Sequence, residues 1–187
     1  MNGIKKLNIT DSEYPEILKL IKDPPTSLYY SGNIEILSNR CISIVGARKA
    51  TEYGLETAEE MGRKTGEAGL TVVSGMADGI DTAAHRGAIN TAGGTIAVLG
   101  CGIDMETGER RKRALDRIRS SGLVISEVLG LSQHIPSLDH VVRDDAVPLG
   151  GVHFHEFDHA DQGECVLHTG GAVFGILSER KQIEMKK

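Results

Sequence analysis

The sequence predicts an α/β protein, a single domain built on a doubly wound, mostly parallel sheet. Four short apolar runs of strand length alternate with stretches of helical character. The strand-like runs are 41–45, 70–73, 95–99 and 123–126, and the helix-like stretches between them are 51–68, 79–90 and 108–120. Apolar strands separated by helices are typical of βαβ units, which build a Rossmann-like sheet.

The N-terminal part is predicted to form an extension of the main domain. Residues 11–22 have the apolar spacing of a short amphipathic helix, which Asp23-Pro24-Pro25 ends. Residues 28–30 fit a short strand. We therefore expect an extension over residues 1–40, helical and strand in character, packed on a main Rossmann-like domain of residues 41–187.

Within the main domain, Thr51 is expected to cap the helix over 51–68. The periodic pattern weakens beyond residue 127. Residues 151–157 alternate between apolar and polar side chains, as an edge strand does, and residues 172–185 are predicted to form a final helix.

Composition excludes several classes of protein. Of 187 residues, 40% are hydrophobic and 25% charged, as in ordinary globular domains. No apolar run approaches the roughly 18 residues that span a bilayer, and the N-terminus lacks the apolar core of a signal peptide. We therefore expect a cytoplasmic protein without membrane contact. Three cysteines without a CxxC pair indicate neither a disulfide framework nor a cysteine zinc site.

The charge is unevenly distributed. The net charge of −5 argues against a strongly basic nucleic-acid binder. Residues 139–164 hold seven acids and one base, a net charge of −6, so the other residues sum to +1.

The predicted binding site lies at the carboxyl ends of the strands, where open α/β sheets bind ligands. Three loops there are rich in small residues: 46–49, 74–79 and 100–102. Backbone amides in such loops can approach an anion closely, and helix N-termini beside them favour negative charge. The candidate phosphate-binding residues are Gly46, Arg48, Lys49, Ser74, Gly75, Ala77 and Gly79.

The alternative is that these glycines only make tight turns between strands and helices. No loop matches GxGxxG or GxxxxGK[ST], so the standard dinucleotide and nucleoside-triphosphate fingerprints are absent. We expect no cofactor.

Four stretches within residues 14–127 form an ordered set of motifs. They are Tyr14-Pro15 with Asp23-Pro24-Pro25, Leu28-Tyr29 and Gly32; Ile44-Val45-Gly46-Ala47-Arg48 with Ala50-Thr51 and Tyr53-Gly54; Val73-Ser74-Gly75-Met76-Ala77-Asp78-Gly79-Ile80-Asp81 with Ala84-His85; and Gly94-Thr95, Ala97-Val98-Leu99-Gly100, Gly102 and Asp104 with Ile125-Ser126-Glu127. Together they resemble the DprA/Smf family of DNA-processing proteins.

This resemblance implies an extended Rossmann fold that binds single-stranded DNA, protects incoming DNA during natural transformation and helps to load the recombinase RecA. It also implies a homodimer and no enzymatic activity. By the same resemblance, Arg48 contacts a DNA phosphate, and the loop from Ser74 to Asp81 lines the same pocket.

The sequence departs from the family after about residue 127. Where the family carries Phe-Pro-x-Arg-Asn-Arg, the nearest match is Val141-Val142-Arg143-Asp144-Asp145. The family's Tyr-Pro-x-x-Asn is replaced by Met105-Glu106-Thr107-Gly108-Glu109, and its Ser-Gly-Ser-Leu-x-Thr-Ala is at best echoed by residues 164–170. Carboxylates at 144 and 145 repel a phosphate, so the resemblance supports only the first half of the pocket.

Two charged segments each have two interpretations. The basic run over residues 109–119, with a net charge of +4, either follows a DNA backbone or forms a solvated helix face. The segment HxHExDH at His153, His155 and His159, with Glu156 and Asp158, either binds a metal ion or is a polar edge strand or loop.

Asp81 and His85 are four residues apart on a predicted helix, so their side chains can meet. They form either an acid–base pair or, separately, a capping carboxylate and a hydrogen-bonded core histidine. The resemblance makes both of them framework residues around the pocket.

Three functions remain open at this point. The first, which is the leading hypothesis, is a module that binds single-stranded DNA through Arg48. The second is a Rossmann-like nucleotide-binding protein, or an enzyme that cleaves nucleoside monophosphates to base and ribose phosphate, although the PGGxGTxxE motif of such enzymes is absent. The third is a degraded homologue that folds without binding. The acidic stretch over 139–164 favours the second and third.

Overall fold

The computed structural model describes residues 3–20, 23–105 and 108–130, together with the backbone of residues 165–169 and 172–176. Within these ranges the strands are Lys5–Asn8 (β1), Ser27–Gly32 (β2), Cys41–Gly46 (β3), Thr71–Ser74 (β4), Thr95–Leu99 (β5), Leu123–Ser126 (β6), Cys165–Thr169 (β7) and Ala172–Ile176 (β8). The α-helices are Glu52–Glu67 (α1), Ile80–Ala88 (α2) and Glu109–Ser121 (α3), and two short 3₁₀ helices are Glu16–Leu20 and Ile34–Ser38.

The strands form one sheet in the order β1-β2-β6-β5-β4-β3-β7-β8. The four central strands, β3 to β6, are parallel. The pair β1–β2 extends the β6 side and the pair β7–β8 extends the β3 side, all by antiparallel pairing. The Rossmann-like α/β prediction is confirmed, with a parallel centre between two antiparallel margins.

The three α-helices share one face of the sheet. The parallel strands lie side by side in sequence order, and crossovers in parallel sheets are right-handed in nearly all cases. A chain that crosses the sheet in one direction therefore leaves all its helices on one side. On that side Val72 packs with Ala58 of α1, and Ala97 and Val124 pack with Leu115 of α3.

The described residues of the N-terminal segment, 3–20 and 23–38, cover the opposite face with the parts that lie outside β1 and β2. Val73, Ile96 and Leu123 are neighbours in the register of the sheet. They pack with Tyr14 and Leu18 in one buried cluster. Both faces are thus covered, as the predicted doubly wound sheet requires, but the second layer comes from the N-terminal segment rather than from the helices of the βαβ units.

The predicted helix over 11–22 is wrong in extent. Among the described residues of that range only Glu16–Leu20 is helical, as a 3₁₀ helix. Pro15 stands inside the predicted helix, where its ring and missing amide disfavour an α-helix. The Tyr14 hydroxyl donates a hydrogen bond to the Pro25 carbonyl at 2.7 Å. This bond joins the chain before the 3₁₀ helix to the chain after it.

The helices of the main domain agree with the predicted ones to within about one turn. The Thr51 hydroxyl accepts a hydrogen bond from the Gly54 amide at 3.1 Å, which confirms the predicted N-cap of α1. Strand β1 was not predicted, because Leu7 is its only buried residue.

The predicted final helix over 172–185 is wrong for residues 172–176, which form β8 and pair with β7. Gly170-Gly171 stands between these two strands in the sequence, and such a dipeptide favours a hairpin. The predicted edge strand over 151–157 lies outside the described residues.

Glycines allow α1 and α2 to pack at very short range. A Cβ built on Gly62 of α1 would overlap the Ala84 carbonyl oxygen of α2, and one on Gly87 of α2 would overlap the Glu59 carbonyl oxygen of α1. We call this contact the α1–α2 glycine seam. These two glycines therefore serve helix packing rather than approach to a ligand.

Candidate functional site

The loops that follow the four parallel strands meet at one edge of the sheet, because the strands share one direction. The loop after β3 is tied to the start of α2: the Ile80 amide donates to the Ala47 carbonyl at 3.3 Å. The loop after β5 is tied to the chain after β6: the Gly130 amide donates to the Asp104 carboxylate at 2.7 Å. The edge therefore consists of two loop pairs, each joined by hydrogen bonds. The first pair is the loop after β3 with the loop that leads into α2, and the second is the loop after β5 with the chain after β6.

Asp81 occupies the centre of the first loop pair. Its carboxylate is buried, with 5% of the residue exposed. Oδ1 accepts the Gly46 amide at 3.3 Å, and Oδ2 accepts the amides of Gly75 at 3.1 Å and Ala77 at 3.4 Å. One carboxylate from the first turn of α2 thus holds the loop after β3 and the loop after β4 together. We call this group the Asp81 clamp.

Met76 stands between Gly75 and Ala77, whose amides both donate to Oδ2 of Asp81, and its backbone conformation explains how these amides converge. Met76 has a φ of 60°, a left-handed conformation that few residues other than glycine adopt. Alternation of right- and left-handed backbone turns successive amides towards one point and makes an anion-binding concavity. Here the chain's own carboxylate fills that concavity.

This arrangement bears directly on the predicted anion cradle. Its amides at Gly46, Gly75 and Ala77 already donate to Asp81. A phosphate would reach them only in place of the carboxylate. From the sequence, Asp81 was interpreted as a partner of His85, a capping carboxylate or a framework residue, and not as the acceptor for these amides. The available signal was its position at the start of a helix that follows the glycine-rich loop.

Ser74 and Gly79 have roles in building the loops. The Ser74 hydroxyl is buried and donates to the Ile44 carbonyl at 2.7 Å, which joins β4 to β3. Gly79 has a φ of 87°, and a Cβ on it would overlap the carbonyl oxygens of Ala47 and Arg48. Only glycine combines that conformation with that close approach, so Gly79 fixes the path of the loop after β3.

Arg48 and Lys49 are the two predicted site residues whose side chains face solvent. Both are exposed, on a loop whose N-terminal end is fixed by the Gly46 amide on Asp81 and by the contact of Ala47 with α2. An exposed guanidinium beside an exposed ammonium gives the loop after β3 a positively charged surface.

Asp81 and His85 are used separately and not as an acid–base pair. The buried His85 ring forms a hydrogen bond with the Thr95 hydroxyl through Nδ1 at 2.7 Å. Burial lowers the pKa of His85 to about 4, so its ring is neutral at pH 7. Burial raises the pKa of Asp81 to about 6 against the opposing effect of the amides that it accepts, so its carboxylate is charged at pH 7.

Two other sequence hypotheses lie outside the described residues: the histidine-rich segment over 153–159 and the acidic segment over 139–164. In the described ranges no group of three or more histidine, cysteine or acidic side chains is placed to hold a metal ion. No helix in those ranges is both long and apolar enough to cross a bilayer.

The fold and the site define a class: a Rossmann-like α/β protein that presents a cationic loop at the carboxyl edge of a parallel sheet. Within that class the chain belongs to the family described as DNA recombination-mediator protein A, whose sequence model matches residues 5–140.

Curated relatives agree with this assignment. The DNA processing protein DprA of Streptococcus pneumoniae is 37% identical over 139 residues, which is 72% of this chain and 49% of that protein. Protein Smf of Synechocystis is 35% identical over 63% of this chain and 30% of its own length. DprA of Bacillus subtilis is 33% identical over 67% of this chain and 42% of its own length. The chain thus spans half or less of these relatives.

Solved structures show the same fold. DprA from Streptococcus pneumoniae aligns with a TM-score of 0.64 and 36% identity over 72% of this chain and 47% of that one. DNA processing protein A from Helicobacter pylori, whose structure concerns its single-stranded DNA binding mode, aligns with a TM-score of 0.64 and 26% identity over 73% of this chain and 60% of that one.

Proposed function

We propose that this chain binds single-stranded DNA at the loop after β3, with Arg48 as the main phosphate contact and Lys49 at the rim. The observation that carries the proposal is the exposure of both cations on a loop that the Asp81 clamp and Gly79 fix from behind. A guanidinium forms charge-assisted hydrogen bonds with phosphate oxygens. The single-stranded DNA binding mode described for the Helicobacter pylori relative supports it.

In this proposal the glycine-rich backbone shapes the site from within. Gly46, Gly75 and Ala77 donate their amides to Asp81, and Ser74 and Gly79 set the loop path. The DNA therefore meets side chains first, which makes binding depend on phosphate charge and not on base sequence.

We propose further that the protein acts in DNA processing during natural transformation, in the cytoplasm, where it protects incoming DNA and aids RecA loading as a homodimer. The names of its DprA relatives support the processing role. Light scattering on the purified chain tests the dimer, and retention of the chain on immobilised RecA tests that partner.

The first experiment is fluorescence anisotropy of a labelled single-stranded oligonucleotide at low and high salt. We expect affinity to fall steeply with salt. Arg48→Ala should weaken binding several-fold and reduce the salt slope by about 0.7, the value for one phosphate contact on a single strand. Arg86→Ala is the matched control, since Arg86 is an exposed arginine on α2, paired with Glu59. Equal affinity of the Arg48→Ala protein and the unaltered protein would contradict the proposed site.

We expect no catalytic activity. Incubation with nucleoside monophosphates and measurement of free base tests this directly. Release of base that depends on this chain would replace the DNA-binding proposal with the phosphoribohydrolase one.

A further inference from the structure

The basic helix α3 presents an ordered row of arginines. Arg110, Arg113 and Arg117 are three and four residues apart, so they share one helix face. All three are exposed, while Leu115 and Ile118 are buried on the other side. At 1.5 Å per residue the three extend over about 10 Å of the helix axis. We call them the arginine row.

The acids of α3 do not neutralise this row. Among the described residues, the helix forms one ion pair, between Arg119 and Asp116 at 2.9 Å, and it does not include a member of the row. By contrast, the cations Arg63, Lys64 and Arg86 of α1 and α2 all pair with glutamates. The charge of the arginine row is therefore directed to solvent.

The position of these cations is unfavourable for the helix itself. Residues 110–113 are Arg-Arg-Lys-Arg, in the first turns of α3. The N-terminus of a helix carries partial positive charge and disfavours cations. A solvated helix face gains nothing from this placement, whereas an anionic partner makes the same charges favourable.

The row begins at the edge that carries Arg48. Helix α3 follows β5, whose carboxyl end lies at the same edge as that of β3, two strand positions away. Neighbouring strands are about 4.8 Å apart, so the two strand ends are separated by about 10 Å. A phosphodiester chain held at Arg48 can continue along α3 within a few nucleotides.

We propose that Arg110, Arg113 and Arg117 form a second contact surface for the phosphodiester backbone, which continues the path of a single strand bound at Arg48. The proposal rests on the proposed function. It adds that strand length matters: a short oligonucleotide occupies the loop after β3, and a longer one also engages α3.

The test compares the unaltered protein with an Arg110→Gln, Arg113→Gln, Arg117→Gln variant. Oligothymidines of about 5 and about 15 nucleotides are used, within the usual range for single-strand sites. We expect the variant to bind the longer strand about 100-fold more weakly near 0.1 M salt, with a salt slope reduced by about 2, as three lost phosphate contacts require. Binding of the short strand should be nearly unchanged.

Two controls separate this surface from general charge. Arg63→Gln, Lys64→Gln, Arg86→Gln removes the same charge from α1 and α2 and should leave both affinities nearly unchanged. Thermal unfolding of the arginine-row variant should occur no lower than in the unaltered protein, because glutamine favours helices and the first-turn charges are relieved.

The possible outcomes distinguish failure of this inference from failure of the proposed function. Equal weakening in both triple variants would show general attraction by net charge and overturn the inference. Unchanged binding of the longer strand by the arginine-row variant, together with loss in Arg48→Ala, would overturn the inference and leave the proposed function standing. If the unaltered protein binds neither strand at low salt, both fail.

Discussion

Asp81 joins sequence-distant loops through a single carboxylate. It lies in the first turn of α2, four residues before the buried His85. The clamp places a negative charge in a buried position, which is why the pKa of Asp81 is raised to about 6. Three amides compensate that cost and tie the loops.

The opposite pKa shifts of Asp81 and His85 predict a particular pH dependence. Asp81 has a pKa raised from 3.8 to about 6, so acidification through that range stabilises the fold. His85 has a pKa lowered from 6.5 to about 4, so acidification through that range destabilises it. The two contributions oppose each other. Asp81→Asn removes the first, so we expect the free energy of unfolding to fall more steeply with acid than in the unaltered protein.

Urea unfolding at a series of pH values from about 4 to 6.5, the range between the shifted and the ordinary pKa of His85, measures this effect. Asp78→Asn is the matched control, because Asp78 is an exposed carboxylate on the same loop. Parallel pH profiles for Asp81→Asn and the unaltered protein would contradict the predicted roles.

The sequence predicted that backbone amides converge in the glycine-rich loops, and the amides of Gly46, Gly75 and Ala77 do converge, on Asp81. Their predicted role in binding phosphate stays a prediction. The acceptor was not predicted, because spacing along the chain places Asp81 and His85 together on α2 and contains no information on which loops fold over them. Only the three-dimensional contact of two loops makes that distinction.

Strands β3 to β6 and helices α1 to α3 were predictable because each one shows an apolar run or a helical period that ends at a clear boundary. Thr51 caps the start of α1, and small residues follow the strands. Strand β1 carries a single buried side chain, so it has no period to detect. Residues 172–176 form an apolar run, which is compatible with either a helix or a strand when read alone, and pairing with β7 decides it.

The α1–α2 glycine seam predicts an inversion of the usual effect of alanine. In a solvated helix, glycine to alanine stabilises by about 1 kcal/mol. At Gly62 the new Cβ would overlap a backbone carbonyl of α2, which cannot move alone. We expect Gly62→Ala to lower the free energy of unfolding by about 1–3 kcal/mol, the usual cost of overpacking.

Thermal or urea unfolding shows whether Gly62→Ala lowers or raises the free energy of unfolding. Gly100→Ala serves as the control, because a Cβ at Gly100 has no atom within 4 Å. Stabilisation of the protein by Gly62→Ala would show that the helices separate easily and that the seam is not a rigid contact.

At the scale of the whole molecule, the two faces of the sheet have unlike covers. Three α-helices cover one face, whereas the other face is covered by the N-terminal segment, whose described helices are two short 3₁₀ helices. Tyr14 and Leu18, each 1% exposed, anchor this segment on the sheet. Residues on both sides of residue 40 share one sheet and one buried cluster. The division of the chain into an extension and a main domain at that residue stays a prediction.

Leu18 and Leu20 offer a matched pair to test that cover. Leu18 is 1% exposed and Leu20 is 82% exposed, on the same 3₁₀ helix. We expect Leu18→Ala to lower the free energy of unfolding by about 2–5 kcal/mol and Leu20→Ala to change it by less than about 0.5 kcal/mol. Similar small effects at both positions in urea unfolding would mean that the segment adds little to the stability of the sheet.

The Asp81 clamp also has a consequence for the thermodynamics of binding. Ordering a mobile backbone costs on the order of 1–2 kcal/mol per residue in conformational entropy. Because the clamp and the Gly79 contact already hold the loop that carries Arg48, the chain meets this cost when it folds and not when it binds. Calorimetry of oligonucleotide binding should then lack the large negative entropy and heat-capacity changes that accompany loop ordering.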